Sequence, residues 1–149
     1  MRTLEQKKIP HTAHSYDPEG PIDGVSVAQT LGQPPEQVFK TLVTKGASGA
    51  YYVFDIPVAE NLDLKKAAKA VGEKSVAMLP QKELLPLTGY VHGGCSPVGM
   101  KKQFPTVFHE TAVLYGTVCV SAGKIGHQVE CDPNALIALL RAKTADVIV

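Results

Sequence analysis

Apolar positions in this chain follow a helical period at only a few places, and NLDLKKAAKAVG, residues 61–72, is the clearest. Leu64, Ala67, Ala68 and Val71 fall at i, i+3, i+4 and i+7, with Asp63 as a cap and Gly72 as a terminator. Weaker helical signals bracket it. MRTLEQKKI is a short helix ended by Pro10, and SVAQTLG is a helix in which Ser26 and Gln29 have the spacing of a capping box and Gly32 stops the run. PPEQVF supplies at most one further turn, residues 80–87 form a short helix opened by Pro80, and DPNALIALLRAK is a last helix with Asp132 as cap and Pro133 in its first turn.

The remaining apolar runs have strand character. HTAHSY is extended, and DPEGPIDG after it is a turn-rich break. KTLVTKGASGAYYVFDIPV reads as two strands around GASG. PTVFHE is a strand, GTVCVSAGKIGHQVEC is two strands about a glycine turn, and DVIV closes the chain as an edge strand. Alternation is imperfect in a strand over 38–43: Val38, Lys40 and Leu42 share one face, Phe39, Thr41 and Val43 the other, so a lysine lies among apolar side chains. Strand pairs mixed with helices, without a repeat or a linker, predict one mixed α/β (α+β) domain over residues 1–149 whose strands curl toward a barrel.

Composition narrows the function classes. The 149 residues carry 15 Lys and Arg against 14 Asp and Glu, a formal charge of +1, so a nucleic-acid contact requires a local basic patch. Apolar residues make up 44% of the chain, yet no run approaches a membrane span, which predicts a soluble protein. Three separated cysteines, Cys95, Cys119 and Cys131, and no signal-like leader suit a reducing cytoplasmic setting.

Chemistry concentrates in YVHGGCSPVGMKK, residues 90–102. His92 and Cys95, with His127 and Cys131, make a zinc-type ligand set on paper, but there is no CxxC or HExxH, and cysteines in valine-rich strands are ordinarily small buried apolar residues. No metal or other cofactor is expected. Cys95 as a nucleophile needs a base, with His92, His109 or His127 available. The glycines carry more information: Gly93 and Gly94 permit positive φ or close approach to a ligand, and Pro97 stiffens the exit. SAGKIG, residues 121–126, is a second such turn, adding Ser121 and Lys124. Lys40 either snorkels to water or is a fixed cation in a cleft, and Lys65, Lys66, Lys69, Lys101 and Lys102 offer either a solvated surface or a basic rim for an RNA end.

VFKTLV (38–43), LKKAAKAVG (64–72), TGYVHGGCSPVG (88–99) and VSAGKIG (120–126), in that order and over essentially the whole chain, resemble the YbaK/EbsC family. These are aminoacyl-tRNA deacylases related to the editing domain of bacterial prolyl-tRNA synthetases. The resemblance implies a barrel-like mixed sheet surrounded by helices. It also implies release of an amino acid from mischarged tRNA. The GGxSPxG form is similar to the branch acting on cysteinyl-tRNA(Pro), in which the substrate's own thiol attacks its ester. Carried over by position, the FKTL lysine is Lys40, the paired glycines are Gly93 and Gly94, followed by Ser96 and Pro97, and the serine of the second turn is Ser121. That turn departs from the family's YVSGGKRG at Ala122 and Ile125. Lys40, Gly93, Gly94 and Ser121 are therefore the candidate catalytic set, Ser96, Pro97, Tyr16 and Lys124 the candidate substrate-binding set, and the five surface lysines the tRNA contact. The implied partners are the tRNA(Pro) acceptor end and prolyl-tRNA synthetase, with no DNA and no membrane. The alternatives are an alanyl-tRNA(Pro) or broader deacylase using an activated water, and a non-catalytic module binding the tRNA end or the synthetase.

Overall fold

The computed structural model describes residues 2–149, so Met1, included in the expected first helix, lies outside the described residues. In chain order the elements are α1 (Arg2–Gln6), β1 (His11–Ser15), α2 (Gly24–Leu31), β2 (Phe39–Gly46), β3 (Tyr51–Pro57), α3 (Leu64–Val71), β4 (Val76–Met78), α4 (Gln81–Thr88), β5 (Thr106–His109), β6 (Val118–Ser121), β7 (His127–Cys131), α5 (Pro133–Leu140) and β8 (Lys143–Ala145). Short 3₁₀ segments, Pro35–Gln37 and Glu110–Leu114, precede β2 and follow β5.

Two sheets result. One is antiparallel, in the order β1-β7-β6; the other is mixed, in the order β4-β2-β3-β5-β8, with β3, β5 and β8 parallel. They meet at a single parallel bridge, Val38 to Cys119, and do not close on each other. The expected barrel is thus two sheets joined at one point, because the short β6 continues away from β2 instead of pairing along it.

Strand parity explains the layers. Phe54 and Ile56 of β3 and Val107 of β5 face one side of the larger sheet, where Ala67 and Ala68 of α3 and Val147 cover them. Phe39 of β2 and Phe108 of β5 face the other side and meet Val118, Val120, Val129 and Cys131 of the smaller sheet, with Leu136 and Leu140 of α5 closing the layer. Fully buried side chains such as Phe54, Phe108, Ile56 and Leu136 each contribute about 1.5–3 kcal/mol. The far side of the smaller sheet is covered by α2, whose Ala28 packs with Cys119, Val38 and Val58.

Capping decides where the helices begin. Asp63 accepts hydrogen bonds from the Lys65 and Lys66 amides, and Gly72 ends α3 in the left-handed conformation, as the sequence predicts. For α2 the expected cap is displaced: Asp23, not Ser26, is the N-cap, its carboxylate accepting from the Ser26 amide, so the helix starts at Gly24. The last segment also differs. The edge strand is Lys143–Ala145, and residues 146–149 instead run across the sheet end, with Ile148 making an isolated bridge to Leu62 and the Val147 carbonyl accepting from the Asp63 amide. β4, which has only three residues, was not expected from the pattern, since Val76 is its only buried residue.

Candidate functional site

Beyond the Val38–Cys119 bridge, β2 and β6 diverge, and the wedge between them is a cavity of about 450 Å³. β4 pairs with β2 only from Thr44 to Gly46, so residues 39–42 have β3 on one side and the cavity on the other. The hydrogen bonds set the direction of each backbone group. The Val38 carbonyl and the Gly46 amide bond toward β3, whereas the Val43 carbonyl accepts from Leu79 on the opposite side. In this alternation the N–H and C=O of Thr41 project into the wedge.

The cavity's roof is the glycine loop. Gly93 has φ of +87°, which a side chain would strain, and its N–H and C=O have no partner among the described residues. Gly94 is required for a different reason: a β-carbon there would lie 3.1 Å from the Ile125 nitrogen, so its absence lets the two turns touch. Ser121 fastens that contact. Its hydroxyl donates to the Gly94 carbonyl at 3.0 Å and accepts from the Gly123 amide at 3.1 Å. Tyr90 braces the same loop, donating to the Val98 carbonyl.

The wall carries a lysine, Lys40, and a carboxylate, Asp23, and a second acid is concealed behind Thr41. Lys40, half-buried, reaches the cavity from β2; burial lowers its pKa from the ordinary value, with the Glu60 charge opposing. From the opposite face of β2, the Thr41 hydroxyl donates to Asp55 Oδ1 across the β2–β3 ladder at 2.6 Å. Asp55 is completely buried, and burial pushes its carboxyl up to about 7, the Thr41 hydrogen bond opposing. The Cys95 thiol lies in the cavity wall and is pushed up to about 12, by burial first and by the Asp55 charge second. It stays a thiol at neutral pH, the reverse of what an attacking cysteine requires.

Residues 23–139, which include every element of this cavity except Tyr16 and Ile22, match the model of the aminoacyl-tRNA editing domain. The chain belongs to the aminoacyl-tRNA editing domain family. It is 46% identical, over 148 residues covering 99% of this chain and 90% of the relative, to EbsC of Enterococcus faecalis, described as a candidate Cys-tRNA(Pro)/Cys-tRNA(Cys) deacylase. Among solved structures it resembles a candidate trans-editing enzyme for prolyl-tRNA synthetase, with a TM-score of 0.84 and 28% identity over 98% of this chain and 92% of that one. A protein described only as hypothetical shares the fold at a TM-score of 0.90 and 22% identity, covering 99% and 97%.

In this editing domain Lys40, Gly93, Ser121 and Tyr16 all line the cavity. Gly94 does not: its carbonyl serves Ser121, and its amide donates to the Val91 carbonyl, so the backbone free to meet a ligand is that of Gly93. Ser121 holds the loop from the cavity wall, its hydrogen given to the Gly94 carbonyl and one of its two lone pairs to the Gly123 amide. Ser96 and Pro97 lie buried behind the roof, where the Ser96 hydroxyl accepts from the Val98 amide and fixes the loop. Lys124 is exposed and borders a second, smaller hollow on the smaller sheet with Ala13, His14 and His127.

The expected lysine rim is divided. α3 covers one face of the larger sheet, while Met100, just before Lys101 and Lys102, packs on the other. Lys65, Lys69, Lys101 and Lys102 are exposed, but the Lys66 ammonium is tied to Asp146 and to the Ile148 carbonyl, both at 2.9 Å, and anchors the chain end. Of the four-residue zinc set, His127 and Cys131 sit at opposite ends of β7, about 13 Å apart at the usual strand rise, so they cannot share an ion. His109 lies on the face of the larger sheet opposite Cys95, its Nδ1 accepting from the Val147 amide. Among the described residues the ligand-type cluster that does form is His14, Cys119 and Glu130, already joined by hydrogen bonds from His14 and Thr117 to the carboxylate. Sequence reasoning missed Thr41 and Asp55 as site residues. An acid inside YYVFDIPV was the available signal, of the same kind as the lysine in VFKTLV.

Proposed function

We propose that this editing domain, comprising residues 1–149, releases cysteine from tRNA(Pro) mischarged with it. The observation that carries the reading is the cavity's chemistry: a half-buried cation, an unengaged glycine backbone and a cysteine held as the thiol. Such a site positions a reaction better than it attacks. The nucleophile then arrives with the substrate, whose cysteinyl thiol adds to its own ester carbonyl and expels the ribose oxygen as a thiolactone forms. Lys40 faces the oxygen that gains charge, and the Gly93 N–H and C=O orient the aminoacyl group. The relative described as acting on Cys-tRNA(Pro) and Cys-tRNA(Cys) supports the amino acid. The neighbour described as a trans-editing enzyme supports tRNA(Pro) and a prolyl-tRNA synthetase partner. Lys65 and Lys69 on one side, and Lys101 and Lys102 on the other, contact the acceptor stem, in the cytoplasm where charging occurs.

The deciding assay uses tRNA(Pro) charged in turn with cysteine, alanine and proline. Rapid loss of cysteine alone is expected, together with a trappable thiolactone. Fast loss of alanine with cysteine retained would overturn the substrate assignment.

A further inference from the structure

Asp55 is an expensive residue. It sits mid-strand in β3, wholly buried, and only one of its oxygens is satisfied: Oδ1 accepts from Thr41, while Oδ2 has no partner in the structure. An apolar residue would fit the surrounding strands at lower cost, since a buried carboxyl lacking partners is penalised by several kcal/mol in typical cases. The compensation lies in its one contact. Thr41 is also in the cavity wall, so this one residue connects the concealed carboxyl to the space a substrate would occupy.

The geometry of that hydroxyl is one-directional. A threonine oxygen has one hydrogen and two lone pairs, and here the hydrogen is given to Asp55. What remains for the cavity is an acceptor, which suits a ligand bringing a proton donor. In the cyclisation proposed above, the substrate thiol is that donor, because sulfur must shed its proton as it bonds to carbon.

We infer that Thr41 and Asp55 form a proton relay that takes the proton from the substrate thiol, an inference that rests on the Cys-tRNA reading. The proton on sulfur passes to Thr41 Oγ as the Thr41 hydroxyl proton passes to Asp55 Oδ1. The S–C bond forms and the C–O bond to the ribose breaks. The departing ribose oxygen takes a proton from the Lys40 ammonium. Afterwards Asp55 gives its proton to solvent and Lys40 regains one, so the net change is aminoacyl ester to thiolactone plus free ribose hydroxyl, with no redox step. Burial suits Asp55 to this part, since a carboxyl held near 7 accepts a proton far more readily than an exposed one. Cys95, the thiol closest to the relay in chemical kind, is held protonated by its own burial and does not compete for it.

The test is release of cysteine from Cys-tRNA(Pro) by the full chain and its variants, followed in the steady state and in single turnover. Asp55→Asn keeps the acceptor for Thr41 but cannot take a proton. Thr41→Val breaks the relay from the cavity side while leaving Asp55 itself unchanged, and urea unfolding of both variants separates lost activity from lost folding. Each is expected to lower kcat by about 10²–10³-fold, with KM within about threefold of the parent. Thr41→Ser restores most of the rate, and the double variant is no slower than either single one. A kcat for Asp55→Asn within about threefold of the parent overturns the relay while leaving the cysteine reading intact. Multiplying losses in the double variant do the same. If the parent itself releases alanine and not cysteine, the underlying reading has failed and the relay fails with it; the alanine arm makes that case distinct.

Discussion

Asp55 predicts an inverted pH dependence of stability that requires no substrate to observe. Its carboxyl stands at about 7 in the folded chain against an ordinary 3.8, a difference of about 3 pH units, or about 4 kcal/mol at 1.36 kcal/mol per unit. Between those values the folded chain keeps a proton that the unfolded chain has released. Unfolding is therefore favoured as pH rises from about 4 to about 7, and the loss is complete above the folded value. Asp55→Asn is nearly isosteric and removes this titration. Its amide nitrogen replaces the unpartnered Oδ2, which carries a cost of about 1–3 kcal/mol, but that cost is the same at every pH. Urea unfolding of parent and variant at pH 4.5, 6 and 8 isolates the effect. The stability difference between them should move by about 3 kcal/mol in favour of the variant across this range, because part of the effect is already spent at pH 4.5; that is on the order of 1–2 M in the urea midpoint. Glu130, Asp146 and Glu73, whose pKa values are lowered by hydrogen bonds, are present in both proteins and cancel in the difference. A difference constant to within about 1 kcal/mol from pH 4.5 to 8 would refute the assignment of a buried, proton-holding carboxyl.

Three further outcomes follow from the site. Lys40→Ala should slow cysteine release by about 10²–10³-fold in single turnover, the usual cost of losing a group that stabilises charge on oxygen; a parent-like rate would remove Lys40 from the chemistry. Gly94→Ala forces a carbon to 3.1 Å from the Ile125 nitrogen and pushes the two turns apart, so activity should fall at least about tenfold while far-UV circular dichroism is retained. Cys95→Ala should keep its rate within about threefold, because the thiol is held protonated; an inactive, folded variant would restore Cys95 as nucleophile.

Much of this architecture was legible where local and tertiary demands agree. α3 was visible in full because Asp63, the Leu64–Val71 spacing and Gly72 all specify the same eight residues. α2 was misplaced at its start because two polar residues compete to cap it, and only the fold shows that the Asp23 side chain reaches the Ser26 amide. The tail DVIV has strand composition but crosses the sheet end, since Val147 is bonded to Asp63 and His109, residues remote in sequence. At the site, Lys40 announced itself as a charge in an apolar strand. Thr41 did not, because a threonine in a strand is unexceptional until its partner across the ladder is known to be Asp55. The roles of Gly94 and Ser121 were hidden for the same reason: their meeting depends on two turns, 27 positions apart, being brought together.

The wedge between β2 and β6 means that the binding space is a stretch of strand pairing left unmade. Every further residue pair zipped beyond Val38 and Cys119 would add ladder hydrogen bonds worth about 1 kcal/mol each and subtract volume from the site. Stability and activity are thus opposed along one seam of the sheet. Selection of this protein for heat resistance alone would tend to close the seam, and its most stable descendants would be those that no longer admit an aminoacyl end.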